Sequence, residues 1–166
     1  MKLVVNLPAY NEKEKIAETI KRIPRQIPGI DEVFVQVIDD GSKDKTAEAA
    51  RGAGADFVHS HRVNRGIGVT FRTSTEKALH NGADIMVNID ADGQFNPVDI
   101  VKLIGPILEG EVDMVSADRF SQSTAVNIPW EKNLLNRLAA WIIGKFMNAK
   151  ISDLTCGFRA YSREAL

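Results

Sequence analysis

The chain has 166 residues, the length of one domain at about 100–200 residues each, so a single domain over residues 1–166 is expected. A single cysteine excludes an internal disulfide framework and a multi-cysteine zinc site. With 21 Lys and Arg against 22 Asp and Glu, the net charge of −1 lacks the basic excess of a generic nucleic-acid binder. A composition of 44% hydrophobic and 26% charged residues is that of an ordinary folded protein. The opening MKLVVNLPAYNEKEK has too short an apolar run for a signal peptide, so a reducing cytoplasmic location is expected.

In chain order, Leu3–Leu7 is a short apolar run predicted as a strand and ended by Pro8. Asn11 to Glu14 has the residues of a capping box, opening a helix with Ile16, Ile20 and Ile23 on one face. Val33–Ile38 is a second strand. It leads into Asp39-Asp40-Gly41-Ser42, with Ser42 or Asp44 available to cap a helix that stops at Gly52 and Gly54. Asp56–Ser60 reads as a third strand, and Gly66–Asn81 as a polar helix closed by Asn81-Gly82. Asp84–Ile89 is a fourth strand running into Asp90-Ala91-Asp92-Gly93. Asn96-Pro97 then caps a helix carrying Ile100, Val101, Ile104, Ile107 and Leu108, and Asp113–Ala117 is a fifth strand. Between Trp130 and Met147, Leu134, Leu135, Leu138, Trp141, Ile142 and Phe146 form an apolar face broken by Arg137 and Lys145. It suits core packing or a membrane surface, and falls short of the roughly 20 apolar residues needed to span a bilayer. The final residues, 163–166, read as the start of a helix.

Strands alternating with helices, with the strands rich in Val and Ile, predict an α/β fold: a Rossmann-like, mainly parallel sheet with helices on both faces. Such sheets bind ligands off the carboxyl ends of their strands. The polar clusters Pro8–Glu12, Asp39–Ser42 and Asp90–Gln94 all fall at those ends.

Asp90 and Asp92 flank one residue after a strand. In an extended chain they face the same way, and with Gln94 they supply hard oxygen donors suited to Mg²⁺ or Mn²⁺. The alternative is an Asx turn. Asp39 and Asp40 suit either a turn with a cap or a site for a cation or ligand donors, because adjacent carboxylates repel. Tyr10 lies in what is either a plain loop and cap or a platform for a base. Asn64-Arg65-Gly66-Ile67-Gly68 is neither a Walker A loop nor a G-x-G-x-x-G fingerprint, since Phe71 takes the third glycine position. His59, His61 and His80 make no zinc spacing with Cys156, and all four read as surface or packing residues.

Taken in order, these segments resemble the family 2 glycosyltransferases with a GT-A fold, and within them the polyprenyl-phosphate sugar transferases of the dolichol-phosphate mannose synthase type. The matching stretches are Pro8–Glu12, Asp39–Ser42 with Asp44 and Thr46, Asn64–Gly66, Asp90–Gln94 with Pro97, Asp118-Arg119-Phe120, and Asp153–Ala160. The resemblance implies that Pro8, Tyr10, Glu12, Asp39, Asp40, Arg65, Asp90 and Ala91 contact the nucleotide sugar. It implies that Asp90, Asp92 and Gln94 hold Mg²⁺ or Mn²⁺ against the diphosphate. Asp92, Arg119 and Arg137 would be the catalytic residues, with Arg119 meeting a phosphate and Arg137 serving the acceptor side. Two positions depart from the pattern: Ile67 stands where many relatives have Lys, and Cys156 where Ser is common. Relatives of this type run on beyond the point matched by Leu166, so the resemblance implies a C-terminally truncated catalytic domain.

The activity implied is inverting, metal-dependent transfer from a UDP- or GDP-sugar to a polyprenyl phosphate such as dolichyl or undecaprenyl phosphate. It would occur at the cytoplasmic face of a membrane, in cell-envelope or glycolipid synthesis. A lipid phosphate, with a second pKa of about 6, needs no general base at pH 7, and the sequence shows no base apart from the metal-site aspartates. The alternatives are a same-fold transferase acting on a saccharide hydroxyl and a donor-binding module without transfer.

Overall fold

The computed structural model describes residues 1–117 and 156–166. Its elements are β1 (Lys2–Ala9), α1 (Ile16–Arg22), β2 (Glu32–Asp39), α2 (Thr46–Gly52), β3 (Phe57–Ser60), α3 (Ile67–His80), β4 (Ile85–Asn88), α4 (Ile100–Leu108), β5 (Met114–Ser116) and β6 (Arg159–Ser162). A 3-10 turn at Pro97–Asp99 leads into α4, and another at Arg163–Ala165 follows β6. The predicted α/β fold is present. The six strands lie in the order β3-β2-β1-β4-β6-β5, with β1 parallel to β2 and β4, β2 parallel to β3, and β6 antiparallel to β4. Residues Met1–Val115 and Phe158–Leu166 form one compact unit, to which all of the sheet described below belongs.

Both faces of the central strands are covered, as the near-continuous apolar strand sequences require. On one face Val4 of β1 stands opposite Phe34 of β2 and Met86 of β4, and Met86 stands opposite Tyr161 of β6. Val4, Met86 and Tyr161 form a buried cluster with Ala78 of α3 and with Ala83. The alternate residues Leu3, Val5, Leu7, Val35, Val37, Ile85 and Val87 fill the other face and are almost completely buried. The buried residues of α4 are Ile100, Leu103, Ile104 and Ile107, one stripe at helical spacing. Val101, expected on that face, is 39% exposed instead.

Three local expectations are corrected. Pro8 does not end the first strand but lies inside β1, in register with Ile38. The Ala9 carbonyl accepts the Asp40 N–H on the β2 side, so the preceding residue faces β4. There the paired register stops at Asn6 and Asn88, so no ladder bond is lost to the missing N–H. The capping box does not form: α1 starts at Ile16 without a side-chain cap. Residues 159–162 form β6, and the last residues make a 3-10 turn rather than an α-helix. The Asn96 cap is present, its side chain accepting the Val98 N–H ahead of Pro97. The apolar segment Trp130–Met147, with Asp118, Arg119, Phe120, Arg137 and residues 153–155, lies outside the described residues.

Candidate functional site at the carboxyl edge of the sheet

Because β1, β2 and β4 are parallel neighbours, the loops that leave them emerge along one edge. This brings Pro8, Tyr10, Glu12, Asp39, Asp40, Asp90, Ala91, Asp92 and Gln94 to the same end of the sheet. The loops after β1 and β2 are stitched together. The Asn11 N–H donates to Ser42 Oγ at 2.9 Å, and Asn11 Oδ1 accepts the Lys43 N–H at 2.9 Å. The Glu12 N–H donates to Thr46 Oγ1 at 3.0 Å, and the Lys13 N–H to Asp44 at 3.3 Å. Asn11 adopts φ 57°, a left-handed conformation that Asn tolerates better than most residues. The residues that looked like caps for their own helices therefore bind across to the neighbouring loop. Asp44 also accepts from the Thr46 N–H and hydroxyl, and these bonds hold its carboxyl below the usual range.

Asp39 and Asp40 are both buried, at 5% exposure each. Asp39 Oδ1 accepts the Ser42 N–H at 3.0 Å, closing the turn after β2. Asp40 reaches the loop after β3. Its Oδ1 accepts the Arg65 N–H, its Oδ2 accepts the Gly66 N–H, both at 2.9 Å, and His61 Nδ1 lies 2.7 Å from Oδ1. Burial pushes the Asp40 carboxyl upward, but hydrogen bonds from His61, Arg65, Gly66 and Thr70 outweigh it and hold the carboxyl below its ordinary value. The ionised carboxylate is an acceptor only, so His61 Nδ1 carries a proton and donates to it, while Nε2 lies 3.1 Å from the Thr73 hydroxyl. His61 is a packing residue, as its sequence context suggested, but it packs against the site. Arg65 has its backbone fixed by Asp40 and its side chain exposed.

The loop after β4 does not stay extended. Ala91 and Asp92 are in a turn, and Asp92 Oδ1 accepts the Gln94 N–H at 3.0 Å. The Asx turn weighed from sequence is thus formed, and the extended geometry expected to align Asp90 with Asp92 is not. The Thr19 hydroxyl of α1 reaches the Ala91 carbonyl at 3.4 Å. Two carboxylates and a carboxamide oxygen share this turn, and among the described residues no cluster of three or more His, Cys, Asp or Glu is assembled. Such a donor set fits Mg²⁺ or Mn²⁺, which take one or two carboxylates and complete their shell with water and substrate phosphate oxygens. It would not suit a metal that needs a protein cage. Asp90, Asp92 and Gln94 are the residues that would hold it.

The family model described as glycosyl transferase family 2 matches residues 4–166. The chain belongs to that family. A polyprenol monophosphomannose synthase of Mycolicibacterium smegmatis is 31% identical over 98% of this chain and 62% of its own length. A UDP-N-acetylglucosamine–dolichyl-phosphate N-acetylglucosaminyltransferase of Methanococcus voltae is 30% identical over 96% of this chain and 69% of its own. The chain thus spans roughly two thirds of the length of these curated relatives. Among solved structures, glucosyl-3-phosphoglycerate synthase from Mycobacterium tuberculosis, in complex with Mn²⁺, UDP and glucosyl-3-phosphoglycerate, superposes with a TM-score of 0.72. It is 26% identical over 98% of this chain and 57% of that one. The fold of this family 2 glycosyltransferase chain is therefore GT-A, and the loops described above lie at the carboxyl ends of its parallel strands, where open α/β sheets bind ligands.

Sequence reasoning missed a second feature of the site. Gln36, Asn6 and Asn88 lie side by side across β2, β1 and β4 and are buried. A signal was present: each of these apolar strands carries a single carboxamide (LVVNL, VFVQVI, IMVNI). Aligning the three needs the register, which only the sheet supplies.

Proposed function

We propose that this chain is the donor-binding catalytic domain of an inverting, Mg²⁺- or Mn²⁺-dependent glycosyltransferase. It would move a sugar from a UDP- or GDP-sugar to a polyprenyl phosphate at the cytoplasmic face of a membrane. The observation that carries the reading is the convergence of three strand-end loops, one bearing the two metal-type carboxylates, on one edge of the sheet in a family 2 chain. The named activities of the two relatives and the Mn²⁺ and UDP in the structural neighbour point the same way.

The residues divide the work. Pro8, Tyr10 and Glu12 line the nucleotide pocket from the β1 side. Tyr10 is 44% exposed, and its ring is available for stacking on a base. Asp39 and Asp40 shape the opposite wall. The carboxylate of Asp40 is committed to the loop that presents Arg65, so its contribution is to hold that wall in place. Asp90, Asp92 and Gln94 take the cation, with Ala91 between them at the sugar. When bound, the cation offsets the charge that builds on the departing diphosphate. Arg119 would add a charge-assisted contact to a phosphate, and Arg137 would hold the acceptor phosphate. A phosphate monoester is mostly dianionic at pH 7, so it attacks the anomeric carbon without a base.

One observation favours a second reading. The structural neighbour's ligand is a sugar joined to phosphoglycerate, so a phosphorylated hydroxyl acceptor fits the same edge. Among the described residues no helix is long and apolar enough to cross a membrane. Titrating the protein with UDP and GDP, with and without Mn²⁺, tests donor binding, which should depend on the cation. Transfer to undecaprenyl phosphate, 3-phosphoglycerate and an oligosaccharide then separates the acceptors. Absence of any cation-dependent nucleotide binding overturns the reading.

A further inference from the structure

The face of the sheet beneath α3 is layered along the strands. One row is apolar: Phe34, Val4, Met86 and Tyr161, each in register with the next. Two residues nearer the carboxyl edge, the next row is Gln36, Asn6 and Asn88, with Arg159 of β6 in register beside Asn88. Gln36 and Asn6 are fully buried and Asn88 is 7% exposed. Packing beneath this helix does not itself demand polar groups, since the adjacent row meets it with apolar side chains. The three carboxamides pair with one another, and Gln36 also ties the row to the Ser74 carbonyl and to Asn81.

Their polarity runs in one direction. Gln36 Nε2 donates at 3.0 Å to the Ser74 main-chain carbonyl, which can only accept. That contact sets the orientation of the Gln36 amide, whose Oε1 accepts from Asn81 Nδ2 at 3.3 Å. Gln36 Nε2 also donates to Asn6 Oδ1 at 3.0 Å, so Asn6 must present Nδ2 on its other side, where it donates to Asn88 Oδ1 at 2.7 Å. The chain of donors turns the Asn88 Nδ2 away from β1. Asn6 also holds the end of β4 by its backbone, its carbonyl accepting the Ile89 N–H at 3.0 Å. Asn6 thus grips the last two residues before Asp90. The strand that carries it leads into the nucleotide-side loop at Pro8–Glu12.

We propose that Asn6 and Asn88, oriented through Gln36 by the Ser74 carbonyl, are positioning residues that set the Asp90–Asp92 turn against the β1 loop, so that the cation and the nucleotide are bound as a unit. This rests on the donor-site reading above. Their action is indirect, through the placement of the turn, and it predicts a specific defect: loss of the cation-dependent part of nucleotide affinity in a folded protein.

The test uses the full chain. In the triple variant Gln36→Met, Asn6→Leu, Asn88→Leu the packing is kept and the polarity removed. In Asn6→Asp the shape is kept, but an oxygen is placed against Asn88 Oδ1. UDP and GDP affinity is measured by titration calorimetry with Mn²⁺ and with EDTA, alongside thermal unfolding. The expected result is a folded triple variant whose affinity with Mn²⁺ falls at least tenfold while its affinity in EDTA changes less than twofold. Asn6→Asp should show the same split. Wild-type affinity in a folded triple variant, or equal losses with and without Mn²⁺ in either variant, overturns the inference. If the triple variant does not fold, the Asn6→Asp result decides. If wild-type protein shows no cation-dependent binding of either nucleotide, the donor-site reading itself has failed, which is a distinct result.

Discussion

His61 Nδ1 lies 2.7 Å from Asp40 Oδ1, and both side chains are nine-tenths or more buried. The pair joins the carboxyl end of β2 to the loop after β3, and the same carboxylate collects the Arg65 and Gly66 N–H groups. Removing the acceptor breaks three part-buried hydrogen bonds at once. Asp40→Ala should therefore cost about 2 kcal/mol. Denaturant unfolding at pH 7 reads it, and a cost below about 1 kcal/mol would show that the loop does not depend on this carboxylate.

The same group gives a pH dependence with a definite sign. The folded-state pKa of Asp40 is lowered, so the folded protein favours the carboxylate relative to the unfolded chain, where an Asp titrates near about 3.9. Its stabilisation is fully present above that value and is lost as the pH falls through the lower folded-state value. The margin of wild type over Asp40→Asn should shrink as the pH falls below about 4. Urea midpoints of the two proteins between about pH 5 and pH 3 provide the comparison. A margin that grows as the pH falls through that range would contradict the sign.

Gly41 has φ +73°, and a Cβ on it would stand 2.3 Å from the Val63 carbonyl carbon and 2.5 Å from the Asn64 nitrogen. Both are backbone atoms, so no rotamer change can relieve the clash. Gly41→Ala should cost about 3 kcal/mol or more from the left-handed strain and overpacking together. Nucleotide affinity should fall as well, because the displaced segment carries Arg65. A variant as stable as wild type would mean that this loop moves freely off the β2 turn.

Asp92 has two roles that substitutions can separate. Its Oδ1 holds the Asx turn with the Gln94 N–H, and its charge is assigned to the cation. Asp92→Asn keeps a carboxamide oxygen for the turn and removes the charge, so stability should change by less than about 0.5 kcal/mol. Asp92→Ala should cost about 1 kcal/mol with the lost hydrogen bond. Both should abolish the Mn²⁺ dependence of UDP or GDP binding in calorimetry. Retained dependence in folded Asp92→Ala would remove Asp92 from the cation site.

Asn11 combines a left-handed backbone with a side chain that accepts the Lys43 N–H. Asn11→Ala loses the hydrogen bond and adds strain, for a cost of about 2 kcal/mol, whereas Asn11→Gly loses only the bond, for about 1 kcal/mol. The stability order should be Asn, then Gly, then Ala. An Ala variant at least as stable as the Gly variant would rule out the strain component.

Much of this protein was determined by the sequence alone. The Val- and Ile-rich runs at Leu3–Leu7, Val33–Ile38 and Asp84–Ile89, separated by helical spacing, are enough for a parallel α/β sheet. Acidic and polar clusters following those runs fall at the carboxyl ends of the strands. The ordered motifs from Pro8 to Gln94 indicate the family. These are local patterns, and periodicity and turn chemistry act over a few residues. Tertiary structure decided what depends on register and on distant partners. Asn11 read as a helix cap until the β2 loop came alongside it and the Lys43 N–H donated to its side-chain Oδ1. Asp40 read as a ligand contact, and only the fold showed that the loop after β3 donates to both its oxygens. The Asp90–Asp92 turn followed its own Asx chemistry rather than the strand before it. Gln36, Asn6 and Asn88 are separated in sequence and became one hydrogen-bonded row only when pairing placed them opposite one another. A polar side chain has several donors and acceptors to choose from in an unfolded chain. Which partner it takes is set by what the backbone brings within about 3 Å, and no local rule encodes that.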